Sequence, residues 1–336
     1  MNSRPLLQAS QALLLVLALL FVAGCSRYWV CDEPNRARQS ELPARLTQTG
    51  LYADLERGQL APGVREFRPQ FPLWSDGASK RRFIRLPAFA QIDTSDMDSW
   101  RFPVGTELWK EFSVGGTRVE TRFLRKTGAG DDDWAAMAYV WSADGTDAVA
   151  AATGVVDARG TSHDVPSAGE CRACHGGRKS FVLGFSAIQL AYTADPGQWD
   201  VRALQNEGVI TTAPRVSLQV PGNETERAAL GYLHANCGHC HNSARPEHAG
   251  ARCFNPQNRL DFWLRSARLD SVSDTPTFTS GRGLAFEPGD PDNSRMIELT
   301  SSRGFLVQMP PLGTEVVDDA GLSKLRGWIA LMPQMR

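Results

Sequence analysis

"LHANCGHCHN", residues 233–242, sets two cysteines three positions apart and follows the second at once with a histidine. "ECRACHGG", residues 170–177, does the same. With seven Cys and six His among 336 residues, chance gives one C-x-x-C-H string in about one such chain in a few hundred, and two far more rarely. The spacing has a chemical reason: each thiol can add to a haem vinyl group, the two thioethers fix the macrocycle against a short helical turn, and the adjacent imidazole reaches iron. Cys171 and Cys174 with His175 form one candidate attachment site for haem c, and Cys237 and Cys240 with His241 a second. Structural zinc also uses Cys-x-x-Cys pairs, and a thioredoxin-type dithiol uses one at a strand-to-helix junction, but neither requires the following histidine.

An electron-carrying haem needs a ligand on its other side. In "FLVQMPPLGTEVVDDAGLSKLRGWIALM" Met309 precedes two prolines, whose fixed φ favours an extended, rigid loop able to hold a thioether sulfur. A helix follows, with Asp319 as N-cap and Leu322, Leu325, Trp328, Ile329 and Met332 at helical spacing. "ETERAALGYLHANC" predicts another helix running into the second attachment site. Helix, C-x-x-C-H, long loops, Met loop and closing helix is the order of a class I cytochrome c domain, so Met309 is the candidate distal ligand of haem 2. For haem 1 the candidate is His163, which "SHDVPSAGEC" brings near the attachment helix; Met97, Met137 and Met296 are the alternatives. His234, seven residues before His241, falls on either the haem-facing or the solvent face of its helix, and His239 and His248 read only as polar loop residues.

The N-terminus reads "MNSRPLLQASQALLLVLALLFVAGCSR", a basic flank and an apolar run too short to span a bilayer comfortably, the layout of a secretory signal. "VAGC" resembles a lipobox, which implies cleavage after residue 24 and acylation of Cys25; Ser26 after it leans toward the outer membrane. The mature chain is thus expected outside the cytoplasm, on the periplasmic side of the envelope. Once Cys25 and the two motif pairs are set aside, Cys31 and Cys253 remain, and an oxidising compartment invites a disulfide between them. A net charge of −1, from 36 basic and 37 acidic residues, lacks the basic excess of a nucleic-acid binder.

Residues 25–160 have a β-rich texture, with "KRRFIRLP", "RFPVGTELWKEFSV", "TRVETRFLRKT" and "WAAMAYVWSADG" separated by turn signals at Gly115-Gly116 and Asp144-Gly145. An antiparallel domain of sandwich type is expected, with Trp100, Trp109, Phe112, Trp134 and Trp141 in its core. Asp131, Asp132 and Asp133 read as an exposed loop rather than a calcium site, and 265–293 as a long loop excursion. The fold class is α+β: signal peptide 1–24, β domain 25–160, then a mainly helical di-haem region 161–336, divided into 161–222 for haem 1 and 223–336 for haem 2.

"FPLWSDGASKRRFIRLP", "VPSAGECRACHGGRKSFVLGFSAIQL", "RAALGYLHANCGHCHN" and "EPGDPDNSRMIELTSSRGFLVQMPPLGTEVVDDAGLSKLRGWI" resemble successive blocks of a family of bacterial di-haem c-type cytochromes. Its members occur alone or fused to periplasmic quinoprotein sugar dehydrogenases. The resemblance covers nearly the whole mature chain. It implies two covalent haems c, held by Cys171, Cys174, His175, Cys237, Cys240 and His241 with Met309 distal to haem 2, and a role passing electrons between donor and acceptor proteins, a dehydrogenase being one class of donor. The competing expectation is a di-haem peroxidase in which one iron keeps an open position.

Overall fold

The structure, a computed structural model, describes residues 41–245, 258–304, 307–311 and 313–334. The signal segment, Cys25, Cys31, Cys253 and His248 lie outside the described residues. No helix among the described residues is long and apolar enough to cross a membrane.

Strands β1 (Tyr52–Asp54) and β2 (Gln59–Leu60) form a short ribbon. Then β3 (Arg65–Phe67), β4 (Ser79–Arg85), β5 (Glu107–Val114), β6 (Thr117–Lys126), β7 (Trp134–Trp141) and β8 (Ala148–Ala150) make one antiparallel meander in sequence order. The β5–β6 turn is Gly115-Gly116, both at positive φ (55° and 82°), as a tight two-residue hairpin requires. At the β7–β8 turn Gly145 alone of the expected pair is left-handed, while the Asp144 carboxylate accepts hydrogen bonds from Ser142 and Thr146.

Side chains alternate between the two faces. Phe83, Trp109, Phe123 and Met137 lie in one cross-strand row on the outer face, under the 3-10 turn Leu46–Thr49 and the β1–β2 ribbon. Trp109 Nε1 donates to Thr49 Oγ1 there at 3.0 Å. The second layer of the expected sandwich is therefore only this ribbon and turn. The inner face carries Ile84 and Leu108, and its core runs unbroken into Phe181, Phe185, Leu230, Leu233, Leu325 and Trp328. All five aromatic positions read as core are buried.

Helices follow: α1 (Ala168–His175), α2 (Val201–Asn206), α3 (Glu224–Asn236), α4 (Pro276–Gly281), α5 (Arg295–Ser301) and α6 (Asp319–Ala330), joined by long irregular segments. Reciprocal capping boxes start α1 (Ser167 with Glu170) and α3 (Asn223 with Glu226), so each C-x-x-C-H motif is tied to a well-defined helix. The segment expected as one long loop contains α4, which Thr275 caps and Pro276 opens. Asp318, one residue earlier than expected, caps α6 by accepting from the Gly321 amide at 2.9 Å.

Helix α6 packs on α3, and at the crossing a Cβ on Gly321 would lie 2.3 Å from the Tyr232 ring. Gly321→Ala is expected to destabilise the fold by about 1–3 kcal/mol through overpacking, read as a lower denaturation midpoint with unchanged slope.

Candidate haem sites

At the first motif, α1 lies against β7 and is pinned at its midpoint by an Arg172–Asp132 ion pair at 3.1 Å. His175 Nδ1 donates to the Phe181 carbonyl at 2.7 Å, and the Phe181 ring packs 5.3 Å from the imidazole. Phe181 adopts φ 59°, a conformation costing roughly 1–3 kcal/mol in a bulky residue. That strain aims its carbonyl at His175 and fixes the tautomer with the proton on Nδ1, so the Nε2 lone pair is free for a metal. Burial pulls His175 down to about 3, against the opposing Phe181 bond, and keeps the ring neutral. Cys171 and His175 line a crevice whose far wall is the inner sheet face, including Arg82, Leu108, Lys110 and Arg122.

The second motif follows α3 directly, with Cys237 as the helix C-cap. The His241 ring packs 5.5 Å from Phe262, and the Asn258 side-chain amide lies 2.6 Å from its Nδ1. Burial lowers His241 to about 4, so this imidazole too is neutral. All four motif thiols are free, and burial pushes Cys171 and Cys237 up to about 12.

The two motifs meet. Asn242 Nδ2 donates to Gly177 O at 3.1 Å as well as to Gly238 O at 2.9 Å, and Arg178 Nη1 donates to Asn242 Oδ1 at 3.2 Å. Arg178, 2% exposed, stacks its guanidinium 3.8 Å from the Trp263 ring and donates to Asp98 O. One amide and one guanidinium thus clamp the residues just after each histidine. The clamp brings Cys174 into electrostatic reach of Cys240, and His175 of His239.

Met309 is half-buried in the loop between α5 and α6, and its amide donates to Leu299 O at 2.9 Å. Gln308 and Thr314 brace that loop on the Pro310 carbonyl. Because α6 packs on α3, the Met loop hangs from the same helix pair that carries the second motif.

His163, the candidate ligand for haem 1, is buried with Nε2 2.8 Å from Glu120 Oε2; its Nδ1 has no hydrogen-bond partner among the described residues. The nitrogen a ligand would commonly use is thus engaged by a carboxylate. Met296 packs in the main core, half-buried Met97 packs against it, and Met137 belongs to the outer-face cluster.

His234 is buried against Trp263 at 4.1 Å, with Nδ1 accepting from the Leu264 amide at 3.1 Å. Burial lowers it to about 3, so between about 6.5 and about 3 the folded chain binds fewer protons than the unfolded one. Its contribution is fully present above about pH 6.5 and is lost as pH falls through that window. Acid titration of unfolding stability is expected to show that decline, on the order of several kcal/mol, and a variant His234→Gln a shallower one.

No protein-family model matches the chain, and neither a curated protein nor a solved structure matches it.

Proposed function

We propose that the protein is a di-haem c-type cytochrome of the bacterial cell envelope, anchored by lipid at Cys25 to the outer membrane, that carries single electrons between a donor protein and an acceptor protein. The observation carrying this reading is that two C-x-x-C-H segments, well separated along the chain, are clamped against each other through Arg178 and Asn242.

The first motif's residues fit the group as they stand; at the second, Asn258 Nδ2 donates to His241 Nδ1, so the neutral ring must move its proton off Nε2 to take iron there. The His175 Nε2 is left free by the Phe181 bond, both motif imidazoles are neutral, and the thiols are carried by short helical segments, Cys171 and Cys174 within α1 and Cys237 at the C-cap of α3. Cys171 and Cys174 would hold one haem with His175 on its iron; Cys237 and Cys240 would hold the other with His241, and Met309 opposite. When bound, haem supplies the one-electron iron couple. The chain's own share is to orient each imidazole, keep it unprotonated, exclude water with the shared core and hold the two sites side by side. Neighbouring centres on one chain give a wire rather than a store, which favours transfer between partners.

The test is a spectrum of protein matured in a host that attaches haem c, oxidised and reduced, with haem counted per chain. Two haems surviving denaturation are expected; haem extracted by acid acetone overturns the reading. Low-spin protein inert to hydrogen peroxide is expected, whereas rapid peroxide turnover with a persistent high-spin signal transfers the assignment to a peroxidase. Cys25→Ser is expected to release the chain from membranes or block its processing, and a correctly cleaved variant still retained on membranes refutes the anchor.

A further inference from the structure

The inner sheet face opposite the first motif carries an unusual charge row. Phe67, Arg82, Lys110, Arg122 and Ala138 are consecutive cross-strand partners from β3 to β7. Arg82 is 6% exposed, and Arg82, Lys110 and Arg122 all line the crevice that contains Cys171 and His175. Arg122 is neutralised by a bidentate pair with Glu120, at 2.6 and 2.9 Å. Among the described residues neither the Arg82 guanidinium nor the Lys110 ammonium has a hydrogen-bonded or ion-paired acceptor. Lys80, on the same face, donates to the Leu73 carbonyl at 2.8 Å and does not relieve them.

Unpaired buried charge is costly, and the buried Arg82 guanidinium beside the half-buried Lys110 amine, which lies over the Phe112 ring and is attracted by Glu120, makes a cationic corner suited to an anion. Their mutual repulsion is felt: burial first, then Arg82 and Arg122, push the Lys110 ammonium well below its ordinary range. The row also has a direction. The Arg122 charge reaches Cys171 and Cys174, Lys110 reaches Cys174 and His175, and Arg82 lies one strand further on. With strands about 4.8 Å apart, Arg82 stands roughly 10 Å across the sheet from Arg122. That span matches the distance from the thioether edge of a haem to its carboxylate edge.

We propose that Arg82 and Lys110 bind the propionate carboxylates of the haem attached at Cys171 and Cys174, making the β domain one wall of that site. This rests on the haem reading, and the wild-type haem count tests that reading separately. Two cations beside the macrocycle stabilise the reduced, less positive iron, so removing either one should favour the oxidised state.

The experiment is a spectroscopically resolved redox titration of the matured protein and of Arg82→Gln and Lys110→Gln. Each variant is expected to retain two covalent haems and low-spin coordination. Each should shift the haem 1 oxidised-to-reduced ratio about tenfold, a fall of about 59 mV for one electron, with haem 2 moved much less. If a Gln variant fails to accumulate, Arg82→Met replaces it, since an apolar side chain is tolerated where an unpaired cation was. Unchanged haem 1 potentials overturn the proposal. Conversion of haem 1 to high spin by Lys110→Gln, with Arg82→Gln silent, also overturns it and makes Lys110 the axial ligand instead.

Discussion

Replacing Cys171 and Cys174 together by Ala is expected to yield a chain carrying one covalent haem instead of two, with the visible α-band of the reduced protein roughly halved per chain. The reasoning starts from attachment: without a thiol there is no thioether, and a single imidazole such as His175 does not retain haem through denaturation. The second haem should survive because its helix pair is built independently, α3 against α6 with Leu230, Leu233, Leu325 and Trp328 between them. The clamp should survive as well, since Gly177 O, Arg178 and Asn242 lie outside the substituted positions. The reciprocal change, Cys237 and Cys240 to Ala, should leave the other haem. Mass spectrometry of the intact chain reads both outcomes directly. A double variant of the first motif that still carries two haems, or a wild type that carries none, removes the basis of the assignment.

The two C-x-x-C-H motifs were legible because the pattern is local: five consecutive positions carry two thiols and an imidazole, and a string of letters records that. The closing helix, the helix before Cys237 and the Gly115-Gly116 hairpin were legible for the same reason, since periodicity and turn residues are short-range signals. What escaped is what the fold assembles over long separations. Arg178 and Asn242 are 64 positions apart and look like ordinary polar loop residues until the clamp forms. Arg82 and Lys110 lie on one face of alternating strands, and alternation predicts two faces without saying that the segment carrying Cys171 and His175 covers this one. One signal was available: "KRRFIRLP" places positive charge on successive positions and therefore on both faces of β4, which a strand with one apolar face does not do. Phe181 was invisible, because a left-handed aromatic residue has no sequence signature. His163 was chosen for nearness to α1, and Glu120, which engages it from 43 residues away, could not be seen from that segment.

Met309→Ala is expected to leave both haems attached while abolishing the weak red band of sulfur-to-iron charge transfer and lowering the haem 2 potential. The loop does not depend on the Met side chain for its shape. Its frame comes from the Met309 amide on Leu299, from Gln308 and Thr314 on the Pro310 carbonyl, and from Arg303 and Trp74 on the Val316 carbonyl. Truncation should therefore remove the sulfur without unfolding its support. A thioether favours reduced iron, and its loss admits water, so the potential should drop by roughly 100 mV or more, within the ~0.8 V that axial ligands span. Met296→Ala supplies the contrast. Met296 is 7% exposed and packs in the core, so its truncation should cost about 2–5 kcal/mol of stability and leave the red band intact. Were the band to persist in Met309→Ala and vanish in Met296→Ala, the distal ligand would be the residue in the core, and the Met-Pro-Pro loop would be only a connection between α5 and α6.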